Sequence, residues 1–250
     1  MTISSLKILI TVVCLLPITG FLQSRYPPHT GLSVCAASVG IEDDTVTIKL
    51  AKANDIRKVA TFLSEAMFGE DTTLAQRKEL ARLEQSDLSR RYGQLVGTRK
   101  FPSALLMAEY KEAIIGCVGI DVQAFDFYEN KFFPTTPSTD FSKTRLVLAN
   151  LAVNPQFRRN GVAKSLATTC ETYAKEWGFN DIYLLVDSEN PAQYFYKKIG
   201  YSKIFEDEAA TCIVTGGSRL RTEECINYCM KKSLSATTPN IGQGISRFTG

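Results

Sequence analysis

At 250 residues and 44% apolar composition, the chain is long enough to bury one sizeable core. A formal charge of +3, with no basic stripe interleaved with aromatics, sets aside nucleic-acid binding. Seven cysteines with no CxxC pair and no histidine at ligand spacing argue against a zinc site and for reduced, packed thiols.

Lys7 precedes an apolar run over residues 8–18 that ends at Thr19-Gly20. The run is too short to span a bilayer and fits the apolar part of a signal peptide over residues 1–20. Residues 21–44 hold Pro, Ser and Ala with no acidic residue before Glu42, the composition of a transit segment. Together, residues 1–44 resemble a bipartite plastid leader, which implies delivery to the plastid stroma; secretion is the alternative. The mature chain would then have no membrane span. The single histidine, His29, lies in this leader, so the mature chain would have no histidine for a catalytic triad or a metal.

The domain is expected over residues 45–232. Val46, Ile48 and Leu50 alternate with Thr47 and Lys49, as in a half-buried strand. Asn54 is placed to cap a helix whose apolar positions Ile56, Val59, Phe62, Leu63, Ala66 and Met67 repeat every 3.6 residues. Thr73 and Gln76 have capping-box spacing for a second helix running to Gly93. Its charges Arg77, Lys78, Glu79, Arg82 and Glu84 read as a solvated face.

Residues 103–110 and 113–123 form a hairpin turning at Lys111-Glu112. The aromatic loop over 124–143 reads as a lid or packing flap. Residues 145–153 form a central strand, 159–177 a helix and 181–187 a second central strand. Pro191 opens a short helix closed by Gly200. Residues 201–205 and 225–231 read as the last strands, separated by an irregular span. Residues 233–250, rich in Ser, Thr, Gly and Pro, read as a disordered tail.

Two motifs carry chemistry. At the first strand-to-helix junction stands Arg158-Arg159-Asn160-Gly161-Val162-Ala163, where backbone N–H groups and the helix dipole converge on one place and Gly161 permits close approach of an anion. Later comes Asn190-Pro191-Ala192-Gln193-Tyr194-Phe195-Tyr196, with Gly200-Tyr201 after it. With this element order, the two motifs resemble the GCN5-related N-acetyltransferase superfamily over residues 45–231. The stretches Asn150–Pro155 and Ala174–Phe179 are most similar to plastid members that act on protein amino termini and lysines.

The resemblance implies an α/β (α+β) fold: a mixed, twisted seven-stranded sheet, about four flanking helices and splayed central strands. It implies acetyl-CoA as cosubstrate and no metal. Backbone from Arg159 to Ala163 would cradle the pyrophosphate, with charge from Arg158 and Arg159. Leu151, Ala152 and Val153 would pair with the pantetheine amides, and Asn190 would bond the same arm. Tyr196 would be the general acid that protonates the leaving thiolate.

The general base is left open among Asp187, Asp121, Tyr110 and a water near Asn150, because residues 145–153 hold no acid and Leu185 is apolar. Asn190 also stands two residues before Ala192, where the family has three. The implied function is transfer of acetyl to protein amino termini, with lysines as further acceptors, by a monomer. A small-amine acetyltransferase and a non-catalytic acyl-CoA-binding module are the alternatives.

Overall fold

The computed structural model describes residues 7–8, 39–41, 44–69, 72–93, 101–126, 131–133, 143–215 and 219–234. The expected leader and tail therefore lie almost wholly outside the described residues.

Strands β1 (Lys7–Ile8), β2 (Val39–Ile41), β3 (Asp44–Leu50), β4 (Ser103–Tyr110), β5 (Ala113–Asp126), β6 (Lys131–Phe133), β7 (Thr144–Val153), β8 (Asp181–Asp187), β9 (Ser202–Val214) and β10 (Arg221–Ser233) form one sheet. Its order is β1-β9-β10-β8-β7-β5-β4-β3-β2, with β6 folded back on β5. The seven long strands make a mixed sheet: only β7 and β8 run parallel, and every other pair is antiparallel. Helices α1 (Ile56–Phe68) and α2 (Leu74–Tyr92) cover one face, and α3 (Val162–Glu176) and α4 (Ala192–Lys198) cover the other. This is the expected α/β fold. No described helix is long and apolar enough to cross a membrane.

Alternation along β4 and β5 explains the two layers. Leu105, Met107 and Cys117 face α1 and α2 with Val59, Leu63 and Leu88. Leu106, Val118 and Ile120 face α3 with Leu166, Cys170 and Ala174. Gly116 lets α3 close on β5, since a Cβ there would lie 3.1 Å from Leu166 and 3.2 Å from Val162.

Several local expectations are corrected. The Asn54 cap does not form; Ala53–Asp55 is a 3₁₀ turn in which Asp55 Oδ2 accepts the Lys52 N–H at 2.9 Å. The capping box at Thr73 and Gln76 does form. Helix α3 starts at Val162 and not at Arg159, because Arg159 and Gly161 have φ of 68° and 81°. The span between the last strands is mostly strand: β9 and β10 pair from Ser202 to Val214, and polar exposed side chains hid the pattern. Part of the aromatic loop is also strand, because β5 runs to Asp126 and pairs with β6. The rest of that loop lies outside the described residues. β10 reaches Ser233, and the Leu234 N–H still bonds the Asn180 carbonyl at 2.7 Å.

Candidate active site

Central strands β7 and β8 share a single register pair, Val147 with Tyr183. Beyond it, β8 stays paired with β10 to Asp187, while β7 stays paired with β5 to Val153. A wedge therefore opens between Leu148–Val153 and Leu184–Asp187, and the backbone groups of β7 that face β8 have no strand partner there. A bulge makes the wedge: the β5–β7 register jumps between Cys117 and Gly119, and Asn150 sits at φ 57°. The Cys117 thiol contacts the Asn150 carbonyl at 3.5 Å, and Asn150 Nδ2 is buried with no hydrogen-bond partner among the described residues. Leu151, Ala152 and Val153 follow directly, so this part of the expected site is laid along one edge of the wedge.

At the end of that edge the chain makes a 3₁₀ turn, Pro155–Phe157, then the left-handed turn at Arg159-Asn160-Gly161, and enters α3. Among the described residues no side chain caps α3. The first backbone bond back to the turn is from the Ser165 N–H to the Gly161 carbonyl, at 3.0 Å. The N–H groups of Val162, Ala163 and Lys164 are those a helix start leaves without an internal acceptor. Positive dipole and exposed Arg159 and Lys164 surround them. Arg158, expected to add positive charge here, is tied to two backbone carbonyls. Its Nε donates to the Val153 carbonyl at 3.1 Å and an Nη donates to the Ala66 carbonyl at 3.3 Å. It is a strut from the end of β7 to the last turn of α1.

On the other side of the wedge, Asn190 explains its own spacing. Its Oδ1 accepts the Ala192 N–H at 2.9 Å, so it holds the start of α4 from two residues away. Tyr196 on α4 is buried, edge-on to Phe195 and Tyr201 at 5.4 and 5.8 Å between ring centroids. Burial, with Cys170 nearby, pushes its phenol well above the ordinary tyrosine value, so it stays a proton donor across neutral pH.

The structure sorts the candidate bases. Asp121 is committed: Arg91 holds it in a buried two-point pair at 2.7 and 3.1 Å, and Gln123 Nε2 donates to it at 3.1 Å. Tyr110 meets the Phe157 ring at a tilt, with 5.4 Å between centroids. Asp187, buried at the end of β8, accepts the Glu189 N–H on Oδ1 at 2.8 Å, and its Oδ2 has no partner.

Sequence reasoning missed Glu84. It is not part of a solvated face but is 3% exposed, between α2 and the sheet. Burial, reinforced by Asp87 and opposed by Arg91, raises its carboxyl from 4.5 to about 7. Its charge is also felt by Cys117, which touches the bulge. The signal was spacing: Glu84 falls four residues after Leu80 and four before Leu88, inside the buried stripe of α2.

One group of metal-ligating residue types stands among the described residues. The ligand atoms of Asp187, Cys212 and Cys225 lie within 4.8 Å of one another, and both thiols pack with Ala210 and Val214. The five described cysteines, Cys117, Cys170, Cys212, Cys225 and Cys229, are all buried. A hollow of about 580 Å³ between α1 and α2, lined by Arg57, Arg77, Lys78 and Arg82 among others, shares no residue with the wedge.

Residues 66–201 match the model of the Acetyltransferase (GNAT) family. A 65-residue stretch is 42% identical to GCN5-related N-acetyltransferase 4, chloroplastic, of Arabidopsis thaliana; it covers 26% of this chain and 22% of that protein. Among solved structures, a GNAT-family acetyltransferase from Streptococcus pneumoniae superposes with a TM-score of 0.50 at 18% identity, over 75% of this chain and 99% of its own. Naa20 of Chaetomium thermophilum, solved with a bisubstrate analogue, superposes with a TM-score of 0.50 at 19% identity, over 76% and 87%.

Proposed function

The chain belongs to the GNAT acetyltransferase family, and from that premise we propose that it transfers acetyl from acetyl-CoA to protein α-amino groups, with lysine side chains as a second class of acceptor, in the plastid stroma. The observation that carries the donor half is the wedge running into an uncapped helix start. A pantetheine arm has peptide-like amides, so it can add to the free edge of Leu151–Val153 as a strand adds to a sheet. The pyrophosphate then meets the N–H groups from Arg159 to Ala163.

Transfer is direct. The neutral amine attacks the thioester carbon, a tetrahedral intermediate forms, and the thiolate leaves with a proton from Tyr196. No Lewis acid is needed for an amine attacking a thioester, so a chelator added to the assay is expected to leave the acetylation rate unchanged. An α-amino group, with an ordinary pKa of about 8, loses its proton far more readily than a lysine at about 10.4. With Asp121 committed to Arg91, that difference favours amino termini. The plastid reading is supported by the composition of residues 1–44 and by the chloroplastic name of the Arabidopsis relative.

The test is incubation of the purified chain with acetyl-CoA and peptides bearing free amino termini and lysines, read by mass spectrometry. Acetylated termini are expected. Turnover confined to small free amines would move the acceptor to that class, and CoA binding without turnover on any amine would leave a binding module.

A further inference from the structure

The bulge that opens the wedge contains a polar group for which the fold has no use. Asn150 Nδ2 is buried without a partner among the described residues, and an amide left in that condition is destabilising. Its neighbours Leu148, Ala149, Leu151, Ala152 and Val153 carry no polar side-chain atom, so Asn150 is the one side-chain donor in residues 148–153. The position is held in place: the Cys117 thiol contacts the Asn150 carbonyl, and the register is locked on either side by Gly119 with Ala149 and Cys117 with Ala152.

The backbone alone does not explain the residue. A φ of 57° is open to asparagine, but glycine meets it without leaving an orphaned amide. Buried polar groups without partners ask for a ligand.

We propose that the Asn150 side-chain amide is a catalytic hydrogen-bond donor to the acetyl carbonyl oxygen, and that it stabilises the oxyanion of the tetrahedral intermediate. This rests on acetyl-CoA lying along Leu151–Val153, which brings the thioester to the point where β7 leaves β8. As the amine nitrogen bonds the carbonyl carbon, the carbonyl π pair moves onto oxygen, and Nδ2–H meets that charge. Collapse restores the C=O bond and breaks the C–S bond. The thiolate takes the Tyr196 proton, and the nitrogen releases its extra proton to water. The donor is worth most in the transition state, where the oxygen carries full charge in a dry site.

Two substitutions separate the amide from the backbone. Asn150→Gly keeps the left-handed conformation and removes the donor. Asn150→Asp keeps both the conformation and the shape but replaces the donor with an acceptor. Both variants are expected to lower kcat about 10²-fold or more, with the Kd for CoA and the KM for acetyl-CoA little changed. A thermal melt checks that each folds.

Wild-type turnover with undiminished kcat in Asn150→Gly would overturn the assignment while leaving the acetyltransferase reading intact. So would a matched loss of CoA binding and kcat, which would make Asn150 a binding residue. A wild-type chain that neither binds CoA nor acetylates any amine would sink the acetyltransferase reading, and the assignment with it.

Discussion

Two regions of the molecule are built from different materials. On the flank proposed to hold acetyl-CoA, the donor flank, from β7 through the Gly161 turn into α3, the groups on offer are backbone N–H and C=O, and side chains serve as struts, as Arg158 does. On the side-chain flank, under α1 and α2 and toward β9 and β10, the interior holds buried polar side chains: Glu84, the Arg91–Asp121 pair, Asp187 and Asn227. A backbone site needs only a shape, which a few glycines and a bulge secure. A side-chain site must be neutralised group by group, and each group has an energetic cost that mutation can expose.

The largest effect expected is on the side-chain flank. Arg91→Ala leaves Asp121 buried without its cation and should cost about 3–5 kcal/mol in denaturant melts, because an uncompensated charge remains. A loss below about 1 kcal/mol would mean the pair is no more than a surface bridge, and the contrast between the flanks would weaken.

Tyr196→Phe tests the residue of α4 proposed as the acid. It should lower kcat by about 10²–10⁴-fold while calorimetry gives an unchanged Kd for CoA, because only the proton donor is removed. Equal kcat in the variant would release Tyr196 from the acid role.

Glu84 gives a pH signature. Its carboxyl is raised from 4.5 to about 7, so the folded chain holds this proton more tightly than the unfolded chain does. Its favourable contribution is therefore complete below the unfolded value and is lost as pH climbs through the folded one. A displacement of that size corresponds to about 3 kcal/mol. Glu84→Gln should stabilise the protein by an amount of that order at about pH 8 and change little at about pH 4, by melts across pH. A difference independent of pH would contradict the raised carboxyl.

The smallest effect is on the donor flank. Gly161→Ala places a Cβ at φ 81° and should cost about 1 kcal/mol of stability and raise the KM for acetyl-CoA, with kcat nearly unchanged.

Much of the donor flank was legible in the sequence because backbone sites leave residue signatures. Gly161 is needed where φ is 81°, and Tyr196 and Gly200 keep the spacing of one short helix. Asn190 looked misplaced by one residue only because its work, holding the Ala192 N–H, depends on three-dimensional reach. The side-chain flank was harder to read. In α2, Glu84 was grouped with exposed Lys78, Glu79 and Arg82, although it shares a face with Leu80 and Leu88. The length of β9 was hidden because Glu206, Glu208 and Thr211 face solvent. Asn150 was visible as a residue, but its orphaned amide follows from a bulge that no local pattern announces.

The most direct measurement of this division is amide hydrogen exchange of the chain with and without CoA. Slowed exchange confined to the edge Leu148–Val153 and the turn Arg159–Lys164, with α2 and the β9–β10 hairpin unchanged, is the predicted result. Protection centred on α2, or none along β7, would contradict a donor site built from backbone.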